Sequence, residues 1–188
     1  MKEVLKNIKS VLKEKGFKGS AQNYYCETND VVFIVNFQKS TGIESFYINL
    51  GVQPKCLIDN NEYNKVKEYE CSFRSRVNKP DNTDYWPYSL DELQFNLLIN
   101  QFQNTYENFL QPLSQIREIV TKKNIVKLLK ENNSIYGTEH ASWFKLYSEL
   151  SLEYGCSGKS IELAKQGIAL CPDRATSLLD ELKQLAHT

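Results

Sequence analysis

Two neighbouring segments in the first third of the chain constrain the fold more than any other feature. Residues 31–38 are rich in β-branched and aromatic side chains, and within residues 43–52 every second residue from Phe46 to Val52 is strongly apolar. Ser40, Thr41 and Gly42 separate the two segments with a composition typical of a turn. Successive side chains of a strand point to opposite faces. The pattern therefore predicts a β-hairpin, with Phe46, Ile48, Leu50 and Val52 on one face and Tyr47 and Asn49 on the other.

Further strands are predicted at residues 24–28 and 69–77, where Cys71, Phe73 and Val77 would share one face and Glu70, Arg74 and Arg76 the other. Pairing of all these strands predicts a sheet with two unlike faces. The apolar face carries Phe33, Phe46, Ile48, Leu50, Cys71 and Phe73. The opposite face, called the polar face below, carries Asn36, Gln38, Tyr47, Asn49, Arg74 and Arg76.

Helical periodicity flanks the strands. Residues 2–15 form an amphipathic pattern that ends at Gly16. After a polar loop at residues 78–88, Ser89 and Glu92 have the spacing of a capping box and begin an apolar stripe that runs to Pro112. Further helices are predicted at 114–121, 123–131, 139–154, 158–170 and 173–186, with a turn at 134–137. The predicted fold is α+β: an antiparallel sheet of three to five strands with an N-terminal helix and a C-terminal set of helices. Its predicted core contains Phe33, Phe46, Ile48, Leu50, Phe73, Leu97, Phe102 and Phe109.

The last helices predict a C-terminal extension at residues 133–188, packed on a domain at residues 1–132 as one compact unit. Their spacing is similar to that of a single tetratricopeptide-type unit, at Phe144, Tyr147, Ser148, Ser160, Ala164, Gly167 and Pro172. Such repeats need neighbours to bury their faces. A single unit of this kind is therefore expected to pack on the main domain.

Composition narrows the classes of function. The 188 residues contain no apolar run of about 18, and the segment from Met1 to Lys6 alternates charge with apolar residues. We therefore expect a cytoplasmic protein without a membrane partner. The 23 basic and 23 acidic residues balance, so a nucleic-acid partner is not favoured.

Candidate catalytic groups are few. The five cysteines are dispersed without a C-x-x-C pair, so we expect reduced thiols and no bound metal. The two histidines, His140 and His187, lie outside any recognisable catalytic motif, and no nucleotide- or cofactor-binding motif is present. The sequence predicts no catalytic residue, no metal and no cofactor; it disfavours catalysis without excluding it.

The polar face leaves two alternatives open. Arg74 and Arg76 project side by side, and guanidinium groups suit carboxylates and phosphates. A partner or ligand could supply those acidic groups. Alternatively Asp81, Asp84 or Glu70 of the same chain could pair with the arginines, and the face would then be structural.

A series of motifs resembles a known bacterial family, the domain of unknown function 4304. The matching segments are residues 15–18, 35–40, 46–52 and 71–77, followed by Trp86 and the pair Phe109-Leu110. The resemblance covers about residues 1–130 and implies no particular reaction. It marks Asn36, Gln38, Lys39, Ser40, Asn49, Arg74 and Arg76 as matching motif positions of the family.

Two hypotheses from different classes follow. The first is a non-catalytic module that binds another protein, by analogy an immunity protein that neutralises a bacterial toxin. The second is an enzyme or a binder of a small anionic ligand that uses the Arg74/Arg76 face. An open face favours the first hypothesis, and a closed pocket around Arg74, Arg76, Gln38 and Asn49 favours the second.

Overall fold

The computed structural model describes residues 2–59 and 62–188, and the side chains from Val4 onward within that range. Backbone contacts divide the chain into two compact units, residues 1–114 and residues 115–188. The domain boundary expected from the sequence, between residues 132 and 133, stays a prediction. In the described part of the chain, no helix is both long enough and apolar enough to cross a membrane.

The first unit combines an N-terminal helix, an antiparallel sheet and a helical segment. Between the fourth strand and the fifth, the described residues form single 3-10 turns at Lys55–Leu57, Tyr63–Lys65 and Glu68–Glu70. The regular elements are α1 (Lys2–Glu14), β1 (Lys18–Ser20), β2 (Asn23–Glu27), β3 (Val31–Lys39), β4 (Ser45–Pro54), β5 (Phe73–Arg76), β6 (Tyr85–Pro87), α2 (Glu92–Thr105) and α3 (Gln111–Leu113).

The sheet follows the order β1-β2-β3-β4-β5, with β6 paired to the first residues of β4 beside β5. All pairings are antiparallel. The α+β class is confirmed, and the described residues form six strands, one more than the three to five expected. The two strands that the sequence pattern did not predict are β1 and β6. Each has only three residues, too few to show an alternation of apolar and polar side chains.

One face of the sheet carries the core of the first unit. Phe33 lies opposite Val52, and Phe37 lies opposite Ile48. Phe33, Phe46, Ile48, Leu50, Phe73, Phe102 and Phe109 are all buried, as predicted. Leu97 is half-buried, contrary to the prediction, and its neighbour Leu98 is buried instead. Leu98 and Phe102 stand four residues apart and therefore share one side of α2, whereas Leu97 points about 100° away from Leu98.

The start of α2 also differs from the prediction. Its N-cap is Asp91, whose side chain accepts a hydrogen bond from the backbone N–H of Gln94 at 2.8 Å. The Gln94 side chain accepts in return from the N–H of Asp91, which completes a capping box two residues later than the one expected at Ser89. Asp and Ser are both good N-caps, so the sequence contained two overlapping signals.

The helical segment does not stop at Pro112. A π-helical turn, Tyr106–Leu110, joins α2 to α3, and the N–H of Gln111 donates to the carbonyl of Tyr106, five residues earlier. Proline has no N–H to give to the carbonyl four residues before it. The wider turn lets the chain pass the proline and keeps Phe109, Leu110 and Leu113 buried.

The second unit is helical. Its helices are α4 (Ile116–Lys122), α5 (Ile125–Glu131), α6 (Asn133–Tyr136), α7 (Ala141–Glu153), α8 (Ser157–Leu170) and α9 (Thr176–Ala186). Close packing of α7 against α8 depends on small residues: Ser148 Oγ donates to the carbonyl of Ser160 at 2.8 Å, and a Cβ at Gly167 would lie too close to Phe144 and Leu182. Lys159 Nζ donates to the carbonyls of residues 120 and 123 at the end of α4.

Candidate functional site

The polar face contains a row of hydrogen-bonding side chains that crosses four strands. Asn23 of β2 lies opposite Asn36 of β3, which lies opposite Asn49 of β4, which lies opposite Arg76 of β5. Residues directly opposite each other in antiparallel strands project to the same face. These four residues, called the amide ladder below, therefore stand side by side across the sheet.

Hydrogen bonds run along the amide ladder in one direction. Arg76 Nε donates to Asn49 Oδ1 at 2.9 Å. Asn49 Nδ2 donates to Asn36 Oδ1 at 3.3 Å and to Gln38 Oε1 at 2.9 Å, and Asn36 Nδ2 donates to Asn23 Oδ1 at 2.8 Å. Asn49 is only 3% exposed, and its amide uses both N–H groups and its oxygen. The centre of the ladder is therefore satisfied internally.

The groups at the rim of the ladder are exposed. Gln38 and Asn23 are exposed, Tyr47 is half-exposed, and the Arg76 side chain retains 42% of its accessible surface. Among residues 2–59 and 62–188, the side chains of Gln38 and Asn23 form hydrogen bonds through their amide oxygens, and their amide nitrogens donate none. The rim thus presents N–H donors to the solvent, already fixed in direction because the amide oxygens accept from within the ladder.

Arg76 is held by three neighbours. Its Nε contacts Asn49, its Nη1 donates to Asp84 Oδ2, and its guanidinium lies 4.6 Å from the centre of the Tyr47 ring. Stacking on an aromatic ring fixes the planar group without removing its outer N–H donors. Of the carboxylates expected from the sequence as internal partners, Asp84 alone pairs with an arginine of the polar face among the described residues.

Arg74 lies outside the ladder. It is opposite Gly51, and its Nε donates to Glu68 Oε1 at 2.8 Å. Glu68 is 7% exposed, so this arginine neutralises a nearly buried carboxylate, and the hydrogen bond raises the pKa of the Arg74 guanidinium. Glu70, Asp81 and Asp84 were the internal partners considered from the sequence, but Glu70 accepts from the N–H of Lys67 and Asp81 accepts from Thr83. Glu68 was missed because a 3-10 turn, not a strand, places it.

One end of the same face is apolar and covered. Val32, Ile34 and Cys71 form a buried cluster against which Ile58, Tyr63 and Val66 pack. The prediction that Cys71 shares the apolar face with Phe73 is wrong, because β5 begins only at Phe73 and Cys71 lies at the end of a 3-10 turn. Burial raises the pKa of the Cys71 thiol to about 12. The chain between β4 and β5 therefore shields one end of the face, while the amide ladder lies at the uncovered end. The apolar Val32 and Ile34 were the signals for this cover in the sequence.

Two tyrosines extend the uncovered end. Tyr85 of β6 lies opposite Tyr47 and is 39% exposed, with Lys79 Nζ 4.7 Å from the centre of its ring. The polar composition of residues 78–88 predicts a loop, so the pattern gave no sign that Tyr85 joins the sheet. Asn23 was missed because the strand was expected to begin at residue 24.

The structure brings five predicted residues together and separates one. Hydrogen bonds and one ring contact connect five of them, namely Asn36, Gln38, Tyr47, Asn49 and Arg76. Arg74 instead pairs with Glu68. Their placement on one face follows the predicted alternation, and their role in binding stays a prediction.

Groups able to hold a metal are dispersed. In the described ranges, no three residues among His, Cys, Asp and Glu come close enough to hold an ion. All five cysteines are free thiols, and His140 is exposed with its Nδ1 3.3 Å from Ser142 Oγ. The absence of metal, cofactor and catalytic residues remains an expectation from the sequence.

Comparisons with known proteins give one positive result. The family model described as "Domain of unknown function (DUF4304)" matches residues 8–131. Comparison with curated proteins and with solved structures gives no match. The matched segment covers α1 from Ile8, the whole sheet and the helices through α5, and thus includes the amide ladder. The chain belongs to the DUF4304 family of domains of unknown function.

Proposed function

We propose that this chain is a non-catalytic protein-binding module whose contact surface is the amide ladder with Gln38, Tyr47 and Tyr85. The observation that carries the proposal is the one-directional row of hydrogen bonds from Arg76 to Asn23, which leaves oriented donors at an uncovered face. Donors fixed before binding lose little conformational entropy when a partner contacts them.

The residue types support a protein partner. Tyr and Arg are enriched among the residues that dominate binding energy at protein interfaces. Tyr47, Tyr85 and Arg76 surround the amides with flat, partly exposed side chains. Carbonyl and carboxylate oxygens of a partner are the groups that the outward N–H donors of Gln38 and Asn23 would contact.

A small anionic ligand fits this surface less well. Glu68 and Asp84 already pair with the two arginines, so an incoming anion must displace a carboxylate of the chain. Gln38, Arg74 and Arg76 are exposed on a face rather than enclosed in a pocket. Both observations favour the protein-binding hypothesis over the ligand-binding one.

The partner class that we propose is another cytoplasmic protein, and the specific case is a toxin that this chain neutralises as an immunity protein. The support for the specific case is analogy with small bacterial proteins of this general kind. Co-expression with a captured partner that is toxic by itself tests it: restored growth is expected, and continued toxicity despite binding contradicts the immunity role.

Affinity capture with matched variants tests the binding surface. The wild-type chain, Gln38→Lys and Asn100→Lys serve as baits, since both changes add a charge at an exposed amide and Asn100 lies on α2 rather than on the polar face. We expect a partner retained by wild type and Asn100→Lys and lost by Gln38→Lys. Equal retention by all three folded baits contradicts the proposed surface.

A further inference from the structure

A groove lies on the opposite side of the sheet from the amide ladder, between α1 and the ends of β2 and β3. It has a volume of about 690 Å³ and is lined by Leu5, Lys6, Lys9, Tyr24, Lys39 and Tyr88, together with the turn before β2. Tyr24 lies opposite Val35 and Lys39 opposite Phe46, which places both on the apolar side of the sheet. This lysine groove belongs entirely to the first unit.

The charge of the lysine groove has one sign. Of the residues whose side chains the structure describes, its lining contains Lys6, Lys9 and Lys39 and no aspartate or glutamate. No carboxylate of the described side chains lies within 4.0 Å of these three ammonium groups, whereas several exposed lysines elsewhere in the chain pair with a neighbouring carboxylate. Three like charges around one concavity repel each other and attract an anion.

The floor of the groove is apolar. Tyr24 is 4% exposed and packs edge-to-face on Phe37 with ring centroids 6.0 Å apart. Burial raises the pKa of the Tyr24 hydroxyl, so this ring stays neutral beneath the lysines. Leu5 and Tyr88 add partly buried apolar surface to the walls. The groove thus combines an apolar floor with a positively charged rim.

We propose that the lysine groove binds an organic anion that consists of an apolar body and one acidic head, either a carboxylate or a phosphate. Its volume lies within the roughly 300–1,000 Å³ of small-molecule sites. The apolar body would cover Leu5 and Tyr24, and the head would lie among the three ammonium groups. The ligand is a small molecule and the site lies on the other face of the sheet, so this inference is independent of the proposed function.

The cation type sets the expected selectivity. Ammonium groups are flexible point charges, whereas the guanidinium fork matches a particular planar head in a bidentate manner. A rim made only of lysines therefore distinguishes an anion from a neutral or cationic molecule and tolerates different acidic heads. Decanoate and decyl phosphate should bind with affinities within about tenfold of each other.

Isothermal titration calorimetry with defined probes tests the site. The probes are decanoate, decyl phosphate and decyltrimethylammonium, which share one tail and differ in head charge. An exposed ion pair contributes a factor of roughly 1.5 to 5 in affinity. The triple variant Lys6→Gln/Lys9→Gln/Lys39→Gln should therefore raise the Kd of both anions roughly 3- to 100-fold. The control Lys13→Gln/Lys18→Gln/Lys165→Gln, at three exposed lysines outside the groove, should leave the Kd unchanged.

A second measurement keeps the test independent of the variants. Decanoate added to the 15N-labelled wild-type chain should shift the amide resonances of Ala21, Gln22 and Tyr24 and leave those of Asn36 and Asn49 in place. No binding of either anion, equal binding of the cation, or shifts centred on the amide ladder overturns the proposal. Tighter binding of hexaglutamate, or of phosphatidylglycerol vesicles, than of decanoate also overturns it, in favour of an acidic peptide or a membrane surface.

Discussion

Replacing Asn49 by Ala removes the central side chain of the amide ladder. The expected decrease in the free energy of unfolding follows from the three hydrogen bonds that this side chain forms. Two of them join neutral amides, at about 0.5–1.5 kcal/mol each, and the third joins the charged Arg76, at about 1.5–3 kcal/mol. Gln38 and Arg76 are exposed and regain water after the change, which reduces the sum. We expect Asn49→Ala to lower the free energy of unfolding by about 2–3 kcal/mol.

The matched control is Gln38→Ala, which removes a single hydrogen bond at an exposed position and should cost less than about 1 kcal/mol. The assay is urea unfolding followed by Trp86 fluorescence. Trp86 is 1% exposed and belongs to the first unit. A Trp143→Phe background removes the other tryptophan, which belongs to the second unit. A cost below 1 kcal/mol for Asn49→Ala, or equal costs for both variants, would refute the ladder as an ordered network.

Three further predictions concern the sheet and its covered end, each measured by denaturant unfolding. Phe46→Ala should cost about 3–5 kcal/mol, because Phe46 is fully buried; a loss below 1 kcal/mol contradicts the facing of β4. Gly51→Ala should be destabilising by about 1–3 kcal/mol, since a Cβ there would lie 2.5 Å from Cys71 Sγ and 2.9 Å from Cys71 Cβ; equal destabilisation in a Cys71→Gly background, which removes both atoms, contradicts that clash. Burial raises the pKa of the Cys71 thiol from 9.0 to about 12, so its contribution to stability is full below pH 9 and falls as the pH rises toward 12, by about 1.4 kcal/mol per pH unit. Cys71→Ser should lose less stability than wild type between pH 8 and pH 10.5, and parallel losses contradict a buried thiol.

The alternation of β4 was sufficient to predict the two faces of the sheet. Each residue from Phe46 to Val52 points where a period of two places it, because burial of one face fixes the register. Alternation in residues 69–77 likewise predicted that Arg76 projects to the polar face, but not that it lies opposite Asn49. The local pattern was therefore sufficient for the facing of residues within the strands.

Contacts between distant segments were not predictable in the same way. The pairing of Arg74 with Glu68 depends on a 3-10 turn that returns over Gly51, where the lack of a side chain leaves space for Cys71. Asn23 joins the ladder through the register of β2 against β3, which the alternation of β4 does not specify. Ser89 and Asp91 are both suitable N-cap residues for the same helix. The helix begins after Asp91, and in this helix Leu98 is buried in the core.

The central claim is that the amide ladder and its rim contact a protein partner. The most direct measurement is the Kd of the captured partner for wild type, Gln38→Lys, Arg76→Ala and Asn100→Lys, each verified as folded by circular dichroism. Residues that dominate an interface typically contribute about 2 kcal/mol or more, which corresponds to roughly 30-fold in Kd. The account predicts a rise on the order of 30-fold for Gln38→Lys and Arg76→Ala, with Asn100→Lys equal to wild type. A Kd within about twofold of wild type for both ladder variants contradicts it.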